Sequence, residues 1–141
     1  MAETKYGKYV LREPHAKPDP QIRLPGVQSF RVNSTLAGGI TCDFAFTAIK
    51  EPRDGGHPSH THNADEFILF LGGDASNMMD FGAEVEIYLG KEQEKHIINT
   101  PTVVYAPKGL YHLPCTFKKV DRPIYFAHIL LAPDYTEFIP E

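Results

Sequence analysis

The sequence predicts an all-β sandwich or barrel with an extended N-terminal arm, and three observations support this prediction. From Phe30 onward, short runs rich in Val, Ile, Phe, Tyr and Thr recur between clusters of Gly, Pro, Asp and Asn. No long window keeps the helical apolar period with capping residues at its ends, so helix should be scarce. The length of 141 residues suits one domain with a single hydrophobic core.

The predicted arm covers residues 1–28, where prolines among charged residues disfavour helix and favour an extended or polyproline-like chain. Its prolines are Pro14, Pro18, Pro20 and Pro25. Residues 29–141 form the single predicted domain, with candidate strands at 29–34, 41–49, 65–71, 84–89, 95–99, 102–106, 112–117 and 124–131. At most a turn or two of helix is expected around residues 134–138.

The composition and the charge exclude several classes of partner. With 42% hydrophobic and 23% charged residues, the chain is too apolar to be disordered as a whole. A formal net charge of -4 without any basic block argues against nucleic acid binding. No apolar run approaches the length of a membrane span, and the N-terminus lacks the apolar stretch of a secretory signal, so a cytoplasmic protein is expected. In that reducing compartment Cys42 and Cys115 should stay unpaired.

The most apolar predicted strand, residues 65–71, indicates that the domain is covered on two faces. Side chains alternate along a strand, so Ile68 and Phe70 share one face with Glu66. The opposite face carries Phe67, Leu69 and Leu71. One face is the expected barrel interior, and the other must meet a second sheet, the arm or another subunit. Symmetric dimers are the commonest oligomers of soluble proteins, so a homodimer is expected.

Three of the seven histidines fall in residues 57–66, close to a glutamate. On an extended strand His60 and His62 point to the same side, and Glu66 keeps the same parity. The alternative is a polar, solvated loop with Glu66 as a surface acid, which is the commoner explanation of an isolated histidine pair. A metal site is favoured here because an ionised carboxylate beside a core costs several kcal/mol unless a cation or hydrogen bonds compensate.

A fourth ligand is predicted where a strand follows a tight turn. Pro107 and Gly109 stand at turn spacing, and His112 then enters an apolar run. Two spacings now resemble the motifs of a known family, the cupins: His60-x-His62-x₃-Glu66-x₆-Gly73, and Pro107-x-Gly109-x₂-His112. The resemblance covers about residues 38–131. The sequence departs from the motifs at three positions: Asp54, Pro101 and Thr116.

The resemblance implies a double-stranded β-helix, the cupin jelly-roll barrel, with the metal ligands on its inner wall. Those ligands are His60, His62, Glu66 and His112. They would hold one divalent transition ion, and a shell of nitrogen and oxygen atoms suits Fe, Mn, Ni, Cu or Zn. A divalent ion with one carboxylate keeps a single positive charge, which favours a small anionic or chelating ligand.

Two further side chains are candidate catalytic groups, each with a structural alternative. His128 stands inside the apolar run 124–131, and it either hydrogen-bonds within the core or faces the metal as an acid or base. Tyr105 could donate a hydrogen bond to a bound ligand, although tyrosines on barrel walls more often serve packing. The remaining histidines are expected to be solvated, with His57 near enough to rim the pocket: His15, His57 and His96.

The resemblance leaves two classes of function open. A metal ion with free coordination positions suits a small enzyme, and cupin enzymes include dioxygenases, decarboxylases, isomerases and lyases. The alternative is a non-catalytic binding or sensor protein that holds a metal-chelating small molecule. A third interpretation, in which the four residues bind nothing, is disfavoured because every ligand type is present at its spacing.

Overall fold

The computed structural model describes residues 4–15 and 27–140. Within these ranges the chain forms one short 3-10 helix at Gly7–Tyr9 and nine strands: β1 (Ser29–Val32), β2 (Asp43–Ile49), β3 (Arg53–Asp54), β4 (Glu66–Gly72), β5 (Ala83–Leu89), β6 (Glu94–Ile98), β7 (Thr102–Ala106), β8 (His112–Val120) and β9 (Ile124–Leu130). None of the helical structure in these ranges is long and apolar enough to cross a membrane.

The strands form two antiparallel sheets. The first sheet has five strands in the order β1-β2-β9-β4-β7, and the second has four in the order β3-β8-β5-β6. Strand β9, the last in the sequence, lies between β2 and β4 and pairs antiparallel with both. An additional antiparallel bridge between His60 and His112 ties the segment before β4 to the second sheet. This architecture confirms the predicted all-β class.

The hydrophobic core lies between the two sheets. The ring centroid of Phe126 is 5.3 Å from that of Phe70 and 5.4 Å from that of Phe117. Cys115 belongs to the same core and is a free thiol, as predicted. Glu66 begins β4 whereas Phe70 lies near its end, and both point inward. Polar side chains therefore gather at one end of the barrel and aromatic side chains fill the other.

The predicted strands are all present, and their ends match the prediction or are displaced by at most three residues. Strand β3 is absent from the prediction because two residues are too short to show an alternating pattern. The helical turn expected at residues 134–138 does not form, since Phe138 instead pairs with Thr61 as a β-bridge. The one helical turn of the described residues lies in the arm, at Gly7–Tyr9.

The N-terminal arm is described only in part. Residues 16–26, which include three of its prolines, lie outside the described residues, so the boundary after residue 28 remains a proposal. The part before them contacts the domain. The Arg31 N–H donates to the Pro14 carbonyl at 3.0 Å, and His15 forms a parallel bridge with Arg31.

The outer face of the first sheet is apolar. Phe67 on β4 and Tyr105 on β7 are opposite each other in the strand register, and their ring centroids are 5.6 Å apart. Phe44 and Phe46 face this side and not the barrel interior, since the inward positions of β2 alternate with them. The exposed apolar side chains of this face are Phe30, Phe67, Val103, Tyr105 and Tyr125. The second apolar face predicted for β4 is therefore present and accessible.

Candidate metal centre

Two strand starts and the segment before β4 bring the four predicted ligands to one end of the barrel. Glu66 is the first residue of β4, and His112 is the first residue of β8. His60 and His112 exchange two backbone hydrogen bonds of 3.1 and 3.0 Å, and their ring centroids are 4.4 Å apart. All four side chains, including that of His62, are buried. The residues that the sequence singled out are thus neighbours in the fold.

Two glycines of the matched spacings have a structural reason for their identity. Gly109 has a φ of 84° in the turn before β8, where the Leu110 N–H donates to the Pro107 carbonyl at 2.9 Å. This left-handed conformation strongly favours glycine. A Cβ atom at Gly73 would lie 2.7 Å from the carbonyl oxygen of Pro123, closer than side chains normally approach. Gly109 allows the tight turn from which β8 begins with His112. Gly73 allows the chain after β4 to pack closely against Pro123.

Each of the three imidazoles is fixed by a hydrogen bond from its Nδ1 atom to a backbone carbonyl. The pairs are His60 with Pro58 at 2.6 Å, His62 with Thr136 at 2.6 Å and His112 with Leu110 at 2.9 Å. A carbonyl only accepts hydrogen bonds, so Nδ1 carries the hydrogen and Nε2 of the neutral ring keeps a lone pair. Metal-binding histidines are commonly oriented in this way.

The free Nε2 atoms converge together with the carboxylate of Glu66. His60 Nε2 lies 3.2 Å from His62 Nε2. Glu66 Oε1 lies 3.0 Å from His112 Nε2, and Glu66 Oε2 lies 3.5 Å from His62 Nε2. Atoms bound to one ion at about 2.0–2.2 Å lie about 2.8–3.6 Å from each other at octahedral or tetrahedral angles. The three histidines offer ligand atoms within 4.8 Å of one another, a cluster that could hold a metal ion.

When the three rings are neutral and carry their hydrogen on Nδ1, these close contacts join atoms that have no hydrogen to share. His112 Nε2 is buried without a hydrogen-bond partner, although a carboxylate oxygen of Glu66 is its neighbour. The Nε2 atoms of His60 and His62 likewise face each other with lone pairs when both rings are neutral. Two buried acceptors in contact are costly unless a proton or a cation lies between them. Imidazole nitrogen and carboxylate oxygen are suitable ligands for a divalent transition ion, so the residues fit one.

The electrostatics of the site favour the metal-binding forms of Glu66 and His60, whereas at His62 a metal ion has to displace a proton. Burial would raise the pKa of Glu66, but His112 and His62, which donate to the carboxylate when Nε2 carries a proton, outweigh it and hold that pKa far below its usual value. Burial and the neighbouring His112 lower the pKa of His60 to about 4. Burial also disfavours protonated His62, but the hydrogen bond to Glu66 raises the pKa of His62 overall. The site therefore offers an ionised carboxylate and at least one neutral imidazole at physiological pH.

The C-terminal segment closes this end of the barrel, and sequence reasoning missed it. The hydroxyl oxygen of Tyr135 lies 3.3 Å from His60 Nε2. The same hydroxyl donates a 2.8 Å hydrogen bond to Glu137. Tyr135 and Glu137 are two residues apart and so point the same way in an extended chain, which is a signal the sequence does contain. Nothing in the sequence indicates that this segment folds back over the histidines.

His57 is buried, which corrects the expectation that it is solvated. Its Nδ1 atom lies 2.7 Å from Glu137 Oε2, an oxygen that also accepts the Tyr135 hydroxyl. The cause is the C-terminal segment, which covers His57 and supplies its partner. His15 and His96 are exposed, as expected.

His128 points into the barrel, where its partner is Asp43. The His128 Nε2 atom lies 2.7 Å from Asp43 Oδ1. Arg31 donates to both carboxylate oxygens at 3.0 and 3.1 Å, and Asn33 donates to one at 3.0 Å. We call these four residues the Asp43 cluster. Its histidine ring lies 5.0 Å from the ring of Tyr135, so the cluster is adjacent to the candidate metal centre.

The structure does not bring Tyr105 to the site. In the register of β4 and β7, Ala106 pairs with Glu66, so the adjacent Tyr105 points to the opposite face. Tyr105 is 55% exposed beside Phe67. The catalytic role considered for Tyr105 is therefore not supported by its position.

The fold has known counterparts among solved structures. Oxalate decarboxylase from Bacillus subtilis aligns with a TM-score of 0.54 and 15% identity, covering 84% of this chain and 29% of the decarboxylase. Oxalate oxidase aligns with a TM-score of 0.55 and 12% identity, covering 87% of this chain and 59% of the oxidase. A Cupin 2 conserved barrel domain protein from Salinispora arenicola aligns with a TM-score of 0.49 and 13% identity, over 82% of this chain and 87% of that protein.

The likeness defines the class of fold. The chain has a cupin-type jelly-roll barrel, as the sequence resemblance implied. This chain spans less than two thirds of the length of both oxalate enzymes. No protein-family model matches the sequence, and no curated protein matches it. At such low identity the likeness extends to the fold alone, and the chemistry has to be argued from the site.

Proposed function

We propose that the chain holds one divalent transition ion and binds a small anionic or chelating molecule beside it. The proposed ligands are His60, His62, Glu66 and His112. The observation that carries the proposal is the contact between buried acceptor atoms, which a cation relieves. Fe, Mn, Ni, Cu and Zn all suit such a shell. The Bacillus subtilis oxalate decarboxylase has Mn(II) centres, which supports manganese as one of these candidates.

The first form of the proposal is a small metal-dependent enzyme. When bound, the ion would polarise an oxygen atom of the substrate. The backbone carbonyls that accept from Nδ1 hold the three imidazoles in one orientation. The carboxylate of Glu66 leaves the site with a single positive charge when a divalent ion is present, so a small anion is the favoured substrate. His128 lies next to this space and is the proposed acid or base, with its Nε2 atom held by Asp43.

The solved structures with a similar fold support the proposal of a small oxygen-rich substrate. Two of them are named for oxalate, and the oxalate oxidase has been solved in complex with glycolate. Both molecules are small anions that carry two oxygens on adjacent carbons, which allows chelation of a metal ion. For this chain the reaction type stays open among dioxygenase, isomerase, lyase and decarboxylase chemistry.

A second candidate function is a non-catalytic binding or sensor protein. The observation that favours it is the closure of the site, because His60 is 0% exposed and Tyr135 is only 6% exposed. A ligand enclosed in this way could be held without being transformed.

The two candidates differ in turnover, which can be measured directly. Metal-loaded protein is mixed with a panel of small carboxylates and enolisable sugars, while binding, product formation and oxygen uptake are followed. The matched control is Glu66→Gln, which keeps the shape of the side chain and removes its charge. Turnover that Glu66→Gln abolishes supports the enzyme, and metal-dependent binding without turnover supports the binding protein. Failure of every anion to bind in a metal-dependent way would contradict both.

We also propose that the chain forms a homodimer through the outer face of the first sheet. Large apolar side chains are exposed there, including Phe67 and Val103. The wild-type chain is expected to sediment as a dimer, and Val103→Glu should give a monomer because a charge would be buried in the interface. Ile97→Glu, at an exposed position on β6 of the second sheet, is the control that should remain dimeric. A wild-type monomer at micromolar concentration would refute the dimer.

A further inference from the structure

Tyr135 occupies a position that neither the proposed ligand set nor the matched spacings explain. All seven tyrosines lie in the described ranges, and Tyr135 alone among them is buried. Its ring centroid lies 5.0 Å from that of His62 and 6.3 Å from that of His60. The carbonyl of the next residue, Thr136, orients His62. The segment that carries Tyr135 is thus part of the wall of the candidate metal centre.

The Tyr135 hydroxyl turns its oxygen, and not its hydrogen, toward the histidines. Its hydrogen is directed to Glu137 Oε2, at an oxygen-oxygen distance of 2.8 Å. His60 carries its own hydrogen on Nδ1, where Pro58 accepts it. The phenol oxygen and His60 Nε2, 3.3 Å apart, are therefore two more acceptors in contact.

The distance of this contact matches that of atoms sharing an ion. Ligand atoms around one ion lie about 2.8–3.6 Å from each other, and the 3.3 Å between the Tyr135 oxygen and His60 Nε2 falls in that range. The contacts between His60 and His62 and between Glu66 and His112 have the same character, two buried acceptors at 3.2 and 3.0 Å. A single cation next to His60 relieves the Tyr135 contact together with these.

The position of Tyr135 is fixed from several sides. Phe138 and Thr61 exchange backbone hydrogen bonds of 2.9 and 3.0 Å, which anchor the segment three residues further on. Glu137 holds the hydroxyl, and the guanidinium of Arg31 lies 5.5 Å from the centroid of the phenol ring. The oxygen is therefore held beside the histidines by the fold.

We infer that Tyr135 is a further ligand of the metal ion, through its phenol oxygen. This inference rests on the proposed function, because it needs the ion that His60, His62, Glu66 and His112 hold. As the oxygen–metal bond forms, the phenol proton passes to the carboxylate of Glu137 along the existing hydrogen bond, so a phenolate binds the ion. An anionic substrate that binds the ion then displaces the phenolate, which takes its proton back from Glu137 and leaves the single positive charge of the proposed function.

The test uses Fe(III), because a phenolate bound to Fe(III) gives a visible charge-transfer band that imidazole and carboxylate ligands do not give. The full chain is loaded with Fe(II), oxidised in air and compared with Tyr135→Phe. The matched control is Tyr105→Phe, which alters an exposed tyrosine on the outer face. The wild type and Tyr105→Phe are expected to show the band, and Tyr135→Phe should lose it while keeping its iron. A band that survives in Tyr135→Phe, or iron-loaded wild type without a band, would overturn the inference.

The remaining outcomes are also decisive. If Tyr135→Phe does not retain iron, phenylalanine variants of each of the other tyrosines are measured. A band that persists in all of them assigns it to Tyr135, and its loss in any of them rejects Tyr135. If the wild type takes up no iron by elemental analysis, the inference is overturned, and the proposed function fails with it only when Mn(II), Ni(II), Cu(II) and Zn(II) are not retained either. Iron uptake without the band rejects Tyr135 as a ligand and leaves the proposed function standing.

Discussion

Replacing His60 or His112 by alanine is expected to abolish metal binding at stoichiometric concentrations. Each variant removes one nitrogen from a buried shell and leaves the Glu66 carboxylate without a full set of partners around the ion. Loss of a group that merely orients a ligand typically costs 10–100-fold in metal affinity, so loss of a ligand should cost more than about 100-fold. Isothermal titration with Zn(II), and elemental analysis after gel filtration, measure the effect.

The matched control for these variants is His96→Ala. His96 lies on the exposed β6 strand beside Glu94, away from the centre, so this variant should bind metal like the wild type. The ligand variants should also lose the metal-induced rise in melting temperature, because an ion stabilises only the state that binds it. Equal losses in all three variants would mean nonspecific surface binding and would refute the site.

Replacing Asp43 by alanine is expected to lower the free energy of unfolding by about 3–5 kcal/mol. Asp43 is fully buried and accepts hydrogen bonds from Arg31, which is itself only 5% exposed. The variant leaves the guanidinium charge inside the protein without its counter-ion, and His128 loses its partner. Urea unfolding of the metal-free protein measures the change.

Asp121→Ala is the control for this prediction, since Asp121 forms an exposed ion pair with Lys119 at 3.5 Å. Exposed pairs contribute about 0–1 kcal/mol, so this variant should be nearly as stable as the wild type. A loss for Asp43→Ala no larger than that for Asp121→Ala would contradict the assignment of a buried ion pair.

The Asp43 cluster also implies a defined dependence of stability on pH. Burial would raise the pKa of Asp43, but the hydrogen bond and charge of His128 and the charge of Arg31 hold it below its usual value. Because the folded pKa is the lower one, the stabilisation is present above about pH 4 and is lost as the pH falls through the folded pKa. Asp43→Asn should therefore weaken the decline in unfolding free energy below about pH 4. An identical decline in the variant would argue against this role.

The sequence was sufficient for the parts of the fold and the site that depend on local periodicity. Strand alternation alone places His60 and His62 on one side, and it explains why Glu66 faces inward at the start of β4. The turn chemistry of Pro107 and Gly109 correctly indicated the start of the strand that carries His112. The same alternation identified the second apolar face of β4.

The rest depends on contacts between distant parts of the chain. Tyr135 and Glu137 reach the histidines because Phe138 pairs with Thr61, a pairing that no local pattern encodes. The burial of His57 follows from that same pairing. Tyr105 could have been excluded as a catalytic residue only from the register of β7 against β4, which places it opposite Phe67 on the outer face.

The central claim is that the convergent histidines and carboxylate form a metal site, and the metal content of the purified chain tests it most directly. The protein is prepared without chelator, or reconstituted at neutral pH with Fe(II), Mn(II), Ni(II), Cu(II) or Zn(II), and passed through a desalting column before elemental analysis. The account predicts about one ion per chain for at least one of these metals, as a single four-ligand site requires. Protein that retains none of them after reconstitution would contradict it.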